Sequence, residues 1–408
     1  MIKDLLDRYI NTYRGLNKEV WILTLITLIN RTGTIVVLFL SIYLTEQLGF
    51  TKTQAGIAMA CFGAGSLVGA YIGGYLTDRI GYIKVMFWSL VISGVLFFVL
   101  MMMTTFISIC VFIFLTIAIG DMFRPASSAS LASYSSEGDH TRALSLHRLA
   151  INLGFALGGA AAGLIAGRFG YEWLFIIDGT TCILAGLFLL YSLRELPDKA
   201  IEERPAAVNA LHHNSVYTDY WYLTFLGFLL LCGIVFMQLF SSFPVYAREE
   251  LMLSEEQFGY FMALSGVLIC IFEMPMVTWI SNRNKNMVSI IFGTFLIGFS
   301  FMLLLLFSNS FVAILLFIVT ITFGEITSFP FNASIGLQRS KPGNRGQYMG
   351  LFSITFSISA IVGTGGGLFL ADHFGYTALW LVCGGLTLIS VVGLLFLRSL
   401  GNSTINSG

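Results

Sequence analysis

The chain is poor in charged residues: Asp, Glu, Lys and Arg make up 11% of it, whereas 56% of its residues are apolar. So few charges cannot cover the surface of a soluble domain of this size. The 22 basic and 22 acidic residues cancel, and the basic ones form no stripe, so we expect no nucleic-acid partner. The mean hydropathy of +0.83 indicates a protein that lies in lipid and has membrane lipid as its neighbour.

Catalytic and metal-binding patterns are also missing. The five histidines lie in loops or at the ends of apolar runs, and neither an HExxH motif nor a Ser-His-Asp pattern is visible. The six cysteines lie inside apolar runs without CxxC spacing, so we interpret them as small buried side chains rather than disulfides or metal ligands. We therefore expect no enzymatic activity, no metal and no cofactor.

Twelve apolar runs are each long enough to cross about 30 Å of hydrocarbon as a helix. These runs, called spans 1 to 12 below, predict an all-α membrane protein. They lie near residues 21–44, 55–77, 83–103, 107–130, 144–166, 173–193, 221–245, 256–280, 287–307, 311–335, 347–371 and 377–398.

One long polar segment, residues 196–220, divides the spans into two sets of six. It contains Pro197 and Pro205 and an acidic pair, a composition typical of a linker. The predicted domains are therefore an amino-terminal six-helix bundle over 21–195, a linker over 196–220, a second bundle over 221–398 and a tail over 399–408. Residues 1–20 have apolar residues at helical spacing, which predicts an amphipathic helix on the inner leaflet.

The distribution of Lys and Arg predicts the orientation. The termini and the loops that follow even-numbered spans hold seventeen of them, and the opposite loops hold three: Lys52, Arg168 and Arg248. Because cytoplasmic loops carry the excess of basic residues, both termini and the linker are predicted to be cytoplasmic. We expect an integral protein of the plasma membrane, in a bacterium the inner membrane.

Short motifs recur about 204 residues apart in the two halves. Because the offset is nearly constant, we infer two six-helix repeats with pseudo-symmetry. The matching motifs are Gly120-Asp121 with Gly324-Glu325, Phe169-Gly170-Tyr171 with Phe374-Gly375-Tyr376, and Asp78-Arg79 with Asn282-Arg283.

Residues 74–84, Gly-Tyr-Leu-Thr-Asp-Arg-Ile-Gly-Tyr-Ile-Lys, form a polar segment between spans 2 and 3. Gly74 permits a close approach of two helices, Asp78 can pair with Arg79 or accept hydrogen bonds at a helix start, and Gly81 allows a tight turn. With the twelve spans, the repeat and the central linker, this segment resembles the major facilitator superfamily, whose signature is G-x-L-x-D-R-x-G-R-K. Tyr82 stands at the first usual basic position, which leaves Lys84 as the nearby cation.

The resemblance covers essentially the whole chain and implies the fold and the gate. It implies two pseudo-symmetric bundles of six helices and a transporter that alternates access to a small-molecule substrate. It also implies a latch on the cytoplasmic side. The gating residues are then Gly74, Asp78, Arg79, Gly81 and Lys84. We expect a monomer, with protons as the coupling ion.

Charged residues inside the spans are the next signal, because each is costly in lipid unless it is paired or hydrated. Arg31 lies in span 1 beside Asn30, and Asp121 and Arg124 share a face of span 4. In the superfamily that the chain resembles, spans 1, 4, 7 and 10 line the cavity. Two cations and one anion leave a positive charge for an anionic group of the substrate. Alternatively, the three charges form a network that only holds spans 1 and 4 together.

Carboxyl groups in the second half are candidates for carrying the proton. A carboxyl group in a low-dielectric site has its neutral form favoured, so we predict Glu325 as the main protonation site, with Asp121 or Glu273 second. Glu273 can instead be a neutral acid hydrogen-bonded within the bundle. Other polar and aromatic residues near cavity depth complete the predicted substrate site: Tyr43, Gln238, Phe329 and Asn332.

Two transport functions remain open. Gly324-Glu325 with Pro330 and the segment 345–350 look like twelve-span drug/proton antiporters, which predicts multidrug efflux. Arg31, Glu325 and Pro330 also match proton-coupled peptide transporters, although Thr27 and Asn30 replace the glutamates of their E-x-x-E-R pattern. Span 5 resembles the exporters' G-x-x-x-G-P motif except for Gly159 in place of proline. We predict efflux of amphipathic solutes by proton antiport, with symport of peptides or other small solutes as the alternative.

Overall fold

The computed structural model describes residues 15–135, 140–193, 216–281, 283, 285–306, 311–340 and 345–405. Within these ranges every regular element is helical, which confirms the all-α prediction. The α-helices are Lys18–Thr32, Val36–Ile42, Lys52–Ile80, Tyr82–Met101, Phe106–Gly120, Phe123–Tyr134, His140–Phe169, Glu172–Leu193, Tyr220–Phe236, Ser242–Glu249, Glu255–Ser281, Asn286–Leu306, Phe311–Arg339 and Arg345–Ile405, with a π-helix at Tyr43–Gln47 and 3-10 turns at Val216–Thr218 and Met237–Leu239.

Eleven helical stretches among the described residues are long and apolar enough to cross a membrane. The last of them, Gln347–Leu400, is 54 residues long. Its backbone leaves the helical conformation at Gly375, where φ is 79° and ψ is 169°, and two helices meet there. The names span 11 and span 12 are kept for the parts before and after Gly375, and the count of twelve spans stays a prediction.

The chain folds into two compact units. Unit 1 comprises Met1–Val36 and Gly65–Ala206, and unit 2 comprises Val37–Ala64 and Ala207–Gly408. The borders of the units fall inside spans 1 and 2, so the end of span 1 and the start of span 2 pack within unit 2. The predicted domain borders at 195 and 221 follow the helix bundles rather than these units and stay a prediction.

The core of unit 1 is built around spans 1, 3, 4, 5 and 6. Tyr82, which replaces a basic residue of the family signature, is fully buried in it, and its ring packs edge-on against Tyr134 at 5.6 Å. Burial of an aromatic ring of this size explains why the position holds Tyr, because a cation there would lose its hydration.

Spans 2 and 4 approach closely in unit 1, and the glycines that permit it differ from the predicted one. A Cβ atom at Gly65, Gly69 or Gly73 would overlap the backbone of span 4, whereas a Cβ at Gly74 would meet nothing within 4 Å. The interpretation of Gly74 as the residue of close helix approach is therefore wrong. Gly65, Gly69 and Gly73 are spaced four residues apart and so lie on one face of the helix. The last of them directly precedes Gly74.

In unit 2, the start of span 2 and the end of span 1 are tied to the second half by polar pairs. All of these pairs lie at the helix ends that the distribution of basic residues places away from the cytoplasm. The pairs are Arg248 Nε with Glu46 Oε1 at 2.9 Å, Lys52 Nζ with Glu249 Oε2 at 2.7 Å, and Thr53 Oγ1 with Asp372 Oδ2 at 2.5 Å. Lys52 and Arg248, both predicted on this side, are thus ion-paired.

Two local geometries occur in both halves of the chain, at the same offset of about 204 residues that separates the matching sequence motifs. The Arg79 guanidinium lies over the Tyr75 ring at 4.4 Å, and the Arg283 guanidinium lies over the Trp279 ring at 4.0 Å. The glycines of the two Phe-Gly-Tyr motifs, Gly170 and Gly375, both have positive φ. These matches agree with the inferred repeat, which stays a prediction.

Some predicted segments lie outside the described residues. These are residues 1–14 of the predicted amphipathic helix, nearly all of the linker (194–215) and the end of the tail (406–408). The helix of span 1 already begins at Lys18, so it takes over the last residues of the segment predicted as an amphipathic helix. All six cysteines are described, and all are free thiols.

Candidate functional site

A charged cluster lies in the middle of span 4 in unit 1, where the helix is interrupted between Gly120 and Phe123. Arg124 Nη2 lies 2.6 Å from Asp121 Oδ2. The Ser66 hydroxyl of span 2 donates to the same carboxylate oxygen and accepts from Arg124 Nη2 at 2.9 Å. The three side chains form a closed triangle, which joins span 4 to span 2.

Arg124 is the exposed member of this cluster. Its side chain is 51% exposed, against 20% for Asp121. A guanidinium at the centre of an apolar span cannot face hydrocarbon without a large penalty, so its exposed side must face water or a polar ligand. This exposure agrees with the predicted aqueous cleft along spans 1 and 4, which stays a prediction.

Arg31 adds a second cation near Asp121. Its guanidinium interacts electrostatically with both Asp121 and Arg124, but its Nε atom is buried and has no hydrogen-bond partner. Gly154 of span 5 lies directly against it, because a Cβ there would come within 2.6 Å of Arg31 Cβ. Within the described part of the chain, Arg31 makes no direct bond to Asp121, and the direct bonds of the cluster join spans 2 and 4. Whether the three charges serve binding or only hold spans 1 and 4 together stays open.

Asn30 does not take part in this cluster. Its side chain is 9% exposed, and its Nδ2 donates to Cys182 Sγ of span 6 at 3.4 Å. One turn earlier, Thr27 Oγ1 lies 3.5 Å from His147 Nδ1 of span 5. These contacts serve helix packing, so the prediction of Asn30 as a substrate ligand is not supported by its surroundings.

The sequence reasoning missed Asp178 in span 6. Its side chain is 1% exposed. Its Oδ1 accepts from the Ile35 N–H and its Oδ2 from the Val36 N–H, both at 3.0 Å. These two N–H groups lie where span 1 is broken between Thr32 and Val36. A charged residue well inside the predicted span 173–193 was the available signal.

In unit 2, three predicted residues share one face of span 10. Glu325, Phe329 and Asn332 follow at i, i+4 and i+7 in the continuous helix Phe311–Arg339. Phe329 packs edge-on against Phe236 of span 7, with ring centroids 4.6 Å apart. The Asn332 side chain is 7% exposed, and its Oδ1 has no hydrogen-bond partner. This face therefore holds a carboxyl group, an aromatic ring and an unused acceptor.

Glu273 lies on span 8, which packs against span 10. Ser265 Oγ lies 2.8 Å from Thr322 Oγ1, and the rings of Phe272 and Phe323 are 5.5 Å apart. Glu273 is 5% exposed. Both Glu273 and Glu325 have an interaction partner, so neither carboxyl group is isolated in its bundle.

Gln238 has a structural task in span 7. It is 1% exposed, and its Nε2 donates to the Ile234 and Gly363 carbonyl oxygens at 2.9 and 2.8 Å. Its Oε1 accepts from the Ser242 hydroxyl at 2.7 Å. Both ends of the amide are satisfied within unit 2, so the prediction of Gln238 as a substrate ligand is not supported by its contacts. Tyr43, 7% exposed, lies in the π-helix at the end of span 1.

The predicted gating segment is described except for the side chain of Asp78. Gly81 has φ 90° and precedes the helix of span 3, so this turn requires glycine as predicted. Arg79 and Lys84 are exposed. A gating role for Gly74, Asp78, Arg79, Gly81 and Lys84 stays a prediction.

Asp219 begins span 7 and binds three elements. It caps the helix through the Tyr222 N–H at 3.1 Å, pairs with Arg339 at 2.8 Å and accepts from the Tyr348 hydroxyl at 2.8 Å. Burial raises the pKa of this carboxyl, but the hydrogen bonds from Arg339, Tyr222 and Tyr348 outweigh burial and leave the pKa below its ordinary value. The group is therefore ionised at neutral pH.

No group of three or more His, Cys, Asp or Glu that could hold a metal ion occurs in the described ranges. In unit 1 the charged cluster holds guanidinium groups and the Asp121 carboxylate, and Asp178 lies apart from it at the break of span 1. In unit 2 one face of span 10 holds a carboxyl group, an aromatic ring and an amide acceptor.

The comparisons with known proteins agree on one family. The sequence profile described as Major Facilitator Superfamily matches residues 20–364. The uncharacterised transporter YqjV of Bacillus subtilis (strain 168) is 24% identical over 390 residues, which cover 92% of each chain. The Na(+), Li(+), K(+)/H(+) antiporter of Planococcus maritimus is 22% identical over 356 residues, which cover 79% of this chain and 82% of the antiporter.

A similar solved structure is that of a mutant peptide transporter POT in complex with alafosfalin. It has a TM-score of 0.79 and 15% sequence identity, and the alignment covers 96% of each chain. At this identity the similarity concerns the fold alone.

Proposed function

Because the chain belongs to the Major Facilitator Superfamily, we propose that it is a proton-coupled secondary transporter that expels small amphipathic organic solutes by proton antiport. It is an integral membrane protein, and the proposal places it in the plasma membrane as a monomer with both termini in the cytoplasm. The observation that carries the proposal is the cluster of Arg31, Arg124 and Asp121 inside unit 1.

The charges of this cluster favour a solute with an anionic group. Arg124 is ion-paired with Asp121, whereas Arg31 has a buried Nε without a partner. One positive charge is therefore not neutralised within the cluster. A carboxylate or phosphonate that accepts from the Arg31 guanidinium would supply the missing charge and the missing acceptor.

Glu325 is the proposed proton carrier. It lies inside a span and shares a helix face with Phe329 and Asn332. Asp121 is committed to Arg124 and Ser66, which makes it a weaker candidate. Binding and release of a proton at Glu325 changes the charge of the face on which Phe329 and Asn332 lie, and this change would link proton movement to the affinity for solute.

The direction of transport has support on both sides. Efflux by antiport is supported by the similarity to an antiporter over 79% of this chain. Proton-coupled uptake of peptides or other small solutes is the second candidate, and the similarity in fold to a peptide transporter supports it. Arg31 suits either direction, because peptides and many exported solutes carry a carboxylate.

The test is solute movement in vesicles of known orientation with an imposed pH gradient. Di- and tripeptides, aromatic acids and cationic drugs are the probes, and vesicles without the protein give the background. We expect anionic amphipathic probes to move against the proton flux. Movement together with protons would establish the uptake candidate, and gradient-independent movement of every probe would overturn proton coupling.

Two variants and a control assign the residues. Glu325→Gln should abolish proton-driven transport, and Arg31→Gln should raise the KM for anionic probes at least tenfold, the equivalent of about 1.4 kcal/mol. Glu172→Gln removes an exposed carboxylate at the start of span 6 and should change neither. Full proton-driven transport by Glu325→Gln would refute its role as the carrier.

A further inference from the structure

The Asp178 carboxylate closes a gap in the helix of span 1. The helix Lys18–Thr32 ends and the helix Val36–Ile42 begins after three intervening residues. Each Asp178 oxygen accepts from one N–H group at this break, Oδ1 from Ile35 and Oδ2 from Val36, both at 3.0 Å. Without water in the hydrocarbon region, these donors depend on protein acceptors. Asp178 therefore maintains the broken form of span 1.

The surroundings of the break are tightly packed. A Cβ at Gly33 would overlap the Thr181 side chain of span 6, and a Cβ at Gly158 of span 5 would come within 2.9 Å of the Thr32 carbonyl oxygen. Arg31 lies two residues before Gly33. The backbone that carries Arg31 is thus held between spans 5 and 6, and its position depends on how the break is held.

No described cation contacts Asp178. Its carboxylate accepts from the two N–H groups, and the titratable side chain of Cys182 lies one turn later on the same helix. Cys182 interacts electrostatically with Asp178 and Arg31, accepts from Asn30 and contacts Ser93 of span 3. Burial opposes the charged form of a carboxylate, whereas two N–H donors favour it. The two effects oppose each other at this one group.

The two protonation forms differ in how many donors they can satisfy. The ionised carboxylate offers two acceptor oxygens and satisfies both N–H groups. When a proton binds to one oxygen, that oxygen becomes a hydroxyl donor, and one backbone N–H loses its acceptor. Ile35 N–H has the Gly33 carbonyl oxygen as a second acceptor at 2.8 Å. The Val36 N–H is therefore the more sensitive reporter.

We propose that Asp178 is a protonation site that locks the break of span 1 when ionised and releases it when protonated. Release lets the segment between Thr32 and Val36 change its backbone conformation, which moves Arg31. The lock itself follows from the contacts of unit 1, and its link to transport rests on the proton coupling proposed above. Asp178 then acts as a positioning residue for Arg31, in addition to the proposed carrier Glu325.

Hydrogen exchange at the break tests the lock without any substrate. The intact purified protein is incubated in deuterated buffer from mildly acidic to mildly alkaline pH, and peptides covering residues 33–40 are analysed by mass spectrometry. The rates are divided by the intrinsic chemical rates at each pH. We expect protection in the wild type to fall at least about fivefold on acidification, the equivalent of one lost hydrogen bond.

Three variants separate the possible causes. Asp178→Asn keeps one acceptor and cannot ionise, so its protection should be low and independent of pH. Asp178→Glu should restore a pH response with a shifted midpoint. Glu325→Gln should retain the wild-type response. Thermal unfolding in detergent verifies that each variant is folded.

The outcomes decide between the two proposals. Wild-type protection that does not change with pH, or a wild-type pH response in Asp178→Asn, would overturn the lock. With a probe found in the vesicle screen, an altered pH profile of transport in Asp178→Asn supports the link to coupling, and an unaltered profile overturns it. If transport proves independent of protons while the exchange behaves as expected, the proposed function fails and the lock stands.

Discussion

Spans 1 and 7 are both broken near their middle, and polar side chains stabilise the two breaks in different ways. In span 1, the carboxylate of Asp178 from span 6 accepts two backbone N–H groups. In span 7, the amide of Gln238 lies within the break itself, donates to Ile234 and Gly363 and accepts from Ser242. One break thus depends on an ionisable group from another helix, and the other on a neutral group of its own.

Because of this difference, the hydrogen bonds at the two breaks should respond differently to pH. An amide does not change its hydrogen-bonding capacity with pH, so the break in span 7 keeps its partners under all conditions in which the protein is folded. A carboxylate loses an acceptor when it binds a proton. We therefore expect the break in span 1 to respond to protons and the break in span 7 to be a fixed bend.

The largest effect is expected for Gly33→Ala at the first break. The added Cβ would overlap Thr181, whose own Cβ would lie only 2.7 Å away, so rotation of the Thr181 side chain cannot make room. Overpacking of this kind costs about 3 kcal/mol. Thermal unfolding in detergent and the yield of folded protein are the measurements. Gly366→Ala, where a Cβ meets nothing within 4 Å, is the matched control, and equal melting temperatures for both variants would contradict the packing argument.

The second break is tested by Gln238→Leu. The variant leaves the Gly363 carbonyl oxygen and the Ser242 hydroxyl without their partner, at a cost of about 2 kcal/mol in unfolding free energy. Because the lost group is neutral, the loss should be the same at every pH. Gln47→Leu, at an exposed position, is the control. A pH-dependent loss in Gln238→Leu would remove the distinction between the two breaks.

A smaller effect is expected for Asp121→Asn in the charged cluster. Because half of the Arg124 side chain is exposed, its ion pair with Asp121 is not fully buried, and removing the pair should cost no more than about 1 kcal/mol. If the cluster serves binding, transport of anionic probes falls while the melting temperature hardly changes. A loss of several degrees with unchanged transport would favour the purely structural interpretation of Arg31, Asp121 and Arg124.

The smallest effect is expected for Asp219→Asn at the start of span 7. The folded-state pKa of Asp219 is lowered, so its stabilisation is present above the unfolded pKa of about 3.9 and is lost as the pH falls through the folded value. Asp219→Asn should therefore lower stability slightly at neutral pH, by at most about 1 kcal/mol. The variant should also lose less unfolding free energy than the wild type when the pH is lowered to acidic values. If the variant and the wild type lose the same unfolding free energy on acidification, other carboxylates determine the acid sensitivity of the protein.

Much of the fold could be predicted, because lipid imposes a simple rule on the sequence. Long apolar runs must be helices in a membrane, and the helices Tyr82–Met101 and Glu172–Leu193 lie within two residues of the predicted spans 3 and 6. The breaks could not be predicted. The polar residues around Gly33 lie inside a long apolar run that reads as one helix, and the bend there depends on a carboxylate more than 140 residues later.

Part of the candidate site could be predicted because lipid also restricts where charged residues occur. Charges inside spans are costly, so Arg31, Asp121, Arg124, Glu273 and Glu325 stand out in the sequence. Their partners do not. Ser66 is one serine among many, and nothing in the sequence distinguishes the packed amides of Asn30 and Gln238 from the unsatisfied Oδ1 of Asn332.

The sequence by itself determined the helical class, the approximate spans and the family. The length of the apolar runs and the spacing of the motifs depend only on the order of residues along the chain. Only the tertiary structure decided which polar groups meet. It placed Tyr82 in the core, moved the close helix approach from Gly74 to Gly65, Gly69 and Gly73, and joined Asp178 to the break of span 1. Burial, packing and hydrogen bonding depend on residues distant in the chain, and only folding brings these residues together.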